Sequence, residues 1–215
     1  MTTTVIFPNS TDGYIQSLDT VYATARAGSG LVADTAGTTI SVLGQRLSGG
    51  NYTIQEAFQA YDTSVIGDTD TVSAVVLDLW VSSDQSVTDF TLQVRTYDWG
   101  AGLTTADWTA GADLGALTLL GTLASAGVSA AAYNAVTENG TNFQSWVNKT
   151  GTSYLMMHSQ NQLDNVAPTG NEYLQVRQPE QAGTTNDPKI TITHSPPPAA
   201  PPPPRRIWRI WRRAA

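Results

Sequence analysis

The sequence contains no cysteine, which excludes a disulfide framework and any thiolate zinc site. Histidine occurs twice, as His158 and His194, and only 13% of residues are charged. In a chain that is 40% hydrophobic, so little charge leaves Ser, Thr, Asn, Gln and Gly to solvate most of the surface. No uninterrupted apolar run approaches the ~20 residues of a membrane helix. Residues 1–8 show neither a basic n-region nor an apolar h-region, so no secretory signal is expected there. Nucleophile-elbow, phosphate-loop and zinc-protease patterns are missing. Nucleophilic catalysis would have to rest on His158 or His194 as base, and both read as structural or surface histidines. The eighteen acidic residues supply many carboxylate pairs for glycoside hydrolysis, but nothing in the sequence singles one out. These absences argue against an enzyme.

What is present is β-strand pattern. At 215 residues the chain has the size of one large β-sandwich or two small domains, and it should bury roughly 70% of the surface its unfolded form exposes. Strand signals recur between Tyr52 and Thr193, separated by Gly, Asn, Asp and Ser clusters. In Thr71 to Val81 the alternate residues Val75, Leu77, Leu79 and Val81 line one face. From Asp89 to Arg95, Phe90, Leu92 and Val94 point inward, while Thr91, Gln93 and Arg95 should face solvent. Shorter strands are expected at Ile54 to Tyr61, Leu117 to Leu123, Tyr154 to Ser159, Tyr173 to Arg177 and Lys189 to His194. Helical signal is thin, limited in the body to one turn capped at Thr104 to Asp107. Many short strands with almost no helix predict an all-β fold, a jelly-roll-like antiparallel β-sandwich over residues 1–195.

Composition changes sharply after that. Residues 196–204 are Pro and Ala only and should form an extended linker of about 3.1 Å per residue. Residues 205–215 form a basic tail. Placed on a helical wheel, Ile207, Trp208, Ile210 and Trp211 fall within an arc of about 160°, opposite Arg205, Arg206, Arg209, Arg212 and Arg213. These arginines are five of the eleven basic residues, so the net charge of −7 conceals a body of about −12. An acidic body disfavours nucleic acid as its ligand. The tail reads as a short amphipathic helix that docks into a partner protein's groove, with an anionic membrane surface or phosphates as alternatives.

Several segments carry a family resemblance: Asp12-Gly-Tyr-Ile15, Tyr22 to Gly28, Glu56 to Ile66, Thr71 to Leu77, Asp98-Trp-Gly100, Thr104 to Trp108, Gly170 to Tyr173 and Asp187 to Ile190. Across residues 10–194 the chain resembles the DNRLRE-type jelly-roll modules, which are related to carbohydrate-binding modules. It is most similar to the versions in virion and minor tail proteins of tailed phages. The resemblance implies a structural virion protein, a minor tail or tail-tip component made in the bacterial host; the C-terminal tail lies outside the resemblance and, as a docking segment, would be its anchor. It implies as alternatives a module that binds bacterial surface glycan and a capsid decoration protein. Partners would be other virion proteins, host glycan and further copies of the chain. No catalytic constellation comes with it.

Two sets of body residues are candidate sites. Among Trp80, Tyr97, Trp99, Trp108, Tyr133, Trp146 and Tyr173, exposed rings would stack on sugars, and Trp99 and Trp108 in Gly-rich loops are the first choice. Asp62, Asp68 and Asp70, with Glu56, offer oxygen ligands for a structural calcium ion. The spacing of an EF-hand is missing there, and solvated Asx turns are the plainer account. No other cofactor is expected.

Overall fold

The structure, a computed structural model, describes residues 1–9, 12–35, 40–179 and 184–198. The expected linker beyond Pro198 and the tail helix at 205–215 lie outside the described residues. The described residues form thirteen strands: β1 (Thr2–Ile6), β2 (Gly13–Asp19), β3 (Val32–Asp34), β4 (Ile40–Ser48), β5 (Asn51–Asp62), β6 (Thr71–Asp84), β7 (Thr91–Thr96), β8 (Leu119–Ala124), β9 (Ala132–Ala135), β10 (Thr137–Glu138), β11 (Thr152–Ser159), β12 (Asn171–Arg177) and β13 (Lys189–Ser195). Three short helices accompany them: α1 (Tyr22–Ala27), α2 (Asn142–Trp146) and α3 (Gln160–Leu163).

All strand pairs are antiparallel, in the order β1-β13-β6-β12-β4-β5-β11-β7-β8-β10, with β2 and β3 branching from β5 and β9 from β6. The two longest strands organise this order because each changes partner along one edge. Ala57 of β5 pairs with both Tyr14 and Met157, so β2 and β11 lie on opposite edges. β4 therefore shares an edge with β11, holding Asn51 to Gln55 before β11 takes over at Ala57. β6 repeats the arrangement. Asp78 pairs with both Lys189 and Ala135, and Val81 with both Val176 and Ala132. β9 thus occupies one edge, while β13 and then β12 share the other. Strands that bend and switch partners in this way form the corners of a sandwich.

The ladder also returns on itself. β9 pairs with β6 and β10 with β8, and the intervening Val136 donates its N–H to the Leu77 carbonyl at 2.9 Å. One segment, residues 132–138, thereby ties β6 to β8. Inward residues from strands far apart in the order meet in one core: Leu77, Leu79 and Val81, Leu92 and Val94, Leu155, Leu174, Val176, Ile190 and Ile192. The result is an all-β, antiparallel sandwich, as the strand pattern predicts. Val75, Leu77, Leu79 and Val81 of β6 are buried, Val76 is exposed and Trp80 half-buried, in the expected phase. On β7 the expectation needs correction: Gln93 and Arg95 are each 6% exposed, not solvent-facing. A second layer, described below, covers their side of the sheet.

Gly121 of β8 sits where the closing segment crosses most tightly. A Cβ there would lie 2.6 Å from the Thr137 carbonyl oxygen and 2.7 Å from Val136 Cγ1. Gly121→Ala is expected to cost about 1–3 kcal/mol in urea denaturation, an overpacking penalty. Gly127→Ala, whose added Cβ meets nothing within 4 Å, should stay within about 0.5 kcal/mol of the parent.

Candidate functional site

β5 is buried on both faces. Ala57 and Tyr61 look into the main core, while Phe58 and Ala60 look outward into a second apolar cluster with Ile15, Met156, Trp99, Leu103 and Leu114. The last three belong to the long connection between β7 and β8, which folds over this face as a cover. The expected turn is formed: Thr105–Asp107 is a single 3₁₀ turn with a capping box, in which Asp107 accepts from the Thr104 N–H at 2.8 Å. It delivers Trp108 against α1. Gly28 caps α1 in a left-handed conformation, and a Cβ there would come within 2.6 Å of Trp108 Cδ1. Only glycine lets the indole lie that close.

Glu56 points into the same layer and is fully buried. Its Oε2 accepts from the Thr109 N–H at 3.1 Å, and its Oε1 accepts from Gln162 Nε2 at 2.7 Å. Burial pushes the carboxyl up to about 8, against the lowering effect of the two hydrogen bonds. At neutral pH this acid is mostly protonated. Gln162 comes from α3, one helical turn capped by Ser159. Each of its three polar side chains reaches a different buried polar group, while Leu163 packs against the second cluster. Gln160 accepts from Gln93, Asn161 donates to Glu172 at 3.0 Å, and Gln162 donates to Glu56. The carbonyls of Gln162 and Leu163 accept from Arg26 of α1 at 2.5 and 2.9 Å.

Beside α3, Arg95 donates to Gln93, to the Leu117 carbonyl and, at 3.0 Å, to Nε2 of His158. Nδ1 of His158 therefore carries the proton and donates to the Ser159 carbonyl at 2.8 Å. Burial, aided by Arg95, pushes His158 down to about 4. The imidazole is a neutral spacer and reaches no solvent. His194 differs. Its Nδ1 lies 2.6 Å from Asp70 Oδ2 and its Nε2 2.9 Å from Thr4 Oγ1. A hydroxyl, an imidazole and a carboxylate in series are the contacts of a hydrolase triad. Here the hydroxyl is a secondary alcohol on β1, and the two contacts pin β1, β13 and the turn before β6 together.

The structure does not bring the four acids of the calcium expectation together. Asp62 is exposed and accepts from the N–H and Oγ of Ser64, an Asx turn. Asp68 is exposed and Asp70 is held by His194. Glu56 lies roughly 20 Å back along β5, six residues at about 3.4 Å each. Among the described residues no group of three or more His, Cys, Asp or Glu could hold a metal ion. Trp99 and Trp108 do come together, but as packing. Trp99 is 6% exposed, its ring set edge-on to Phe58 at 5.6 Å and Tyr154 at 4.7 Å. Trp108 is half-buried, and the indole nitrogens of both are buried without a partner among the described residues. The surface aromatic pair is instead Trp80 on β6 and Tyr133 on β9, 5.0 Å apart and edge-to-face, with Lys189 Nζ 3.9 Å over the tyrosine ring. The arginines and aromatics of the tail, Arg205 to Arg213, lie outside the described residues. No helix among the described residues is long and apolar enough to cross a membrane.

No protein-family model matches this chain, and no curated protein matches it.

Two measurements follow from the covered layer, one on its acid and one on its packing. A folded-state value near 8 against an unfolded value near 4.5 means that the Glu56 contribution is fully present below about pH 4.5. It is lost as pH rises through about 8. Glu56→Gln, neutral throughout, should flatten the fall in urea midpoint that the parent shows between pH 5 and 9. An identical pH profile in both proteins would refute the buried neutral acid. Trp99→Ala should cost about 3–5 kcal/mol, as removal of a packed core indole does.

Proposed function

We propose that the chain is a non-catalytic structural protein of a tailed-phage particle, a minor tail or tail-tip component whose sandwich faces outward. Its C-terminal tail would hold it to a neighbouring virion protein. One observation carries the reading: the landmark residues of the sequence resemblance are scaffold residues. Asp12, Glu56, Glu172 and Asp187 are buried, Trp99 packs in the second cluster, and Trp108 seals α1. Residues of that kind maintain a fold and leave the surface free to vary. A surface solvated by uncharged polar side chains suits a protein packed among many neighbours.

A second reading, recognition of bacterial surface glycan, is favoured by the half-exposed Trp80 and Tyr133. Two rings on an outer sheet face beside Lys189 and Asp78 combine an apolar stacking surface with donors and acceptors for sugar hydroxyls.

Mass spectrometry of purified, fractionated particles tests the first reading. The protein should be found in the tail fraction and should be lost from particles when the chain is truncated after Ser195. Recovery with capsids would favour the decoration alternative, and absence from particles would remove the virion reading. Hydrolysis of an aryl ester that disappears in Thr4→Val would overturn the non-catalytic part. Envelope polysaccharide binding that Trp80→Ala reduces about tenfold or more would establish the glycan reading.

A further inference from the structure

We infer that β1 is a self-association edge, through which a second copy of this chain adds its own β1 antiparallel about a two-fold axis at Thr4. β1 ends the strand order and pairs with β13 alone among the described residues. The other strands with one partner, β3, β9 and β10, have two to four residues; β1 has five. An open edge presents a row of unpaired backbone donors and acceptors, and proteins ordinarily protect such edges with lysine, proline or a bulge. β1 has none of these. Its residues are Thr2, Thr3, Thr4, Val5 and Ile6, and its register with β13 runs without a shift.

The occupant is identified by symmetry. Laid antiparallel on itself with Thr4 opposite Thr4, the strand places Thr3 opposite Val5 and Thr2 opposite Ile6. Side chains therefore match face to face, as an isologous contact requires. On the outer face Val5 lies beside Thr191, and Thr191 beside Val76. Val5 is 49% and Val76 40% exposed. The neighbouring row runs Thr3, Thr193, Ala74. Pairing through β1 would join the first row of one copy to the second row of the other. That makes two continuous stripes of Val, Thr and Ala with no charge to repel, a combination favoured in cross-strand pairs.

A five-residue strand pair falls short of the ~1,000 Å² of a stable interface, so association is weak, with a dissociation constant on the order of 1 µM to 1 mM. It would matter where copies are concentrated in an assembly. The inference stands apart from the virion reading and is tested on the isolated full-length chain.

Sedimentation velocity across that concentration range should show a monomer–dimer equilibrium, weakened about tenfold or more by Val5→Lys on the exposed face. The absence of cysteine allows a second readout of register. Thr4→Cys should form a disulfide-linked dimer on mild oxidation much faster than Val5→Cys, because only position 4 faces itself across the axis. A chain that stays monomeric overturns the inference. So does a dimer that ignores Val5→Lys and crosslinks no faster at position 4, which would assign association to the C-terminal tail or another surface.

Discussion

Backbone hydrogen bonding along β5 and β6 is the constraint on which the rest of this fold depends. A buried strand must satisfy its N–H and C=O groups on both edges. Strands of 12 and 14 residues in a small sandwich outrun any single neighbour. Both meet the requirement by taking two partners in succession along one edge and a third along the other. Each partner change hands the strand from one neighbour to the next along the ladder. The remaining strands fall into place around those two, and residues 132–138 complete the circuit.

The two apolar faces of β5 also explain why the chain needs a second layer. Where β11 takes over as partner, the strand has core on one side and an outer face rich in apolar residues, Phe58 and Ala60 among them. The β7–β8 connection covers that face, and its polar backbone must then be satisfied underneath. The chain does this with neutral amides and a protonated acid, using few ions. Glu56 accepts from an amide N–H and a glutamine, Glu172 accepts from Gln45 and Asn161, and Arg95 donates to glutamine, histidine and a carbonyl. The composition, poor in charge and rich in Asn and Gln, is what such a network requires. Arg95 is the cation this network holds buried: desolvation lowers its pKa, and glutamine, histidine and carbonyl partners compensate in place of a carboxylate.

Much of this was legible in the sequence, and the exceptions have physical causes. β6 was readable because one face is core and the other is largely open, which produces clean alternation. β7 was misread on its outer face because Gln93 and Arg95 are polar yet bonded to each other under the cover. Alternation reports polarity, and polarity equals exposure only where no second layer exists. β1 to β4 gave weaker signals. β1 is mostly threonine at an open edge, and β4 is interrupted at Gly44, where a Cβ would meet the Glu172 carbonyl oxygen at 2.2 Å. The placement of the ligand candidates was obscured for a related reason. Trp99 and Trp108 stand among glycines, as exposed loop aromatics do, but Gly100 and Gly102 lie in open space while the rings themselves turn into the apolar layer, and only Gly111 is crowded, by Arg26 and the Gln162 carbonyl. Asp62, Asp68 and Asp70 crowd one turn, while Glu56 belongs to a different layer.

The pairing of the first strand with the last has a practical consequence. Thr2 lies opposite His194 in register, so the two ends of the sandwich body are neighbours at one pole. A sequence fused ahead of β1 and one fused after β13 would leave from the same side of the molecule, and the opposite pole would stay unobstructed. The same proximity makes the body a natural substrate for circular permutation. A short connection from Ser195 to Met1 would preserve the β1–β13 ladder, and new ends could open in an exposed turn such as Ser48 to Asn51.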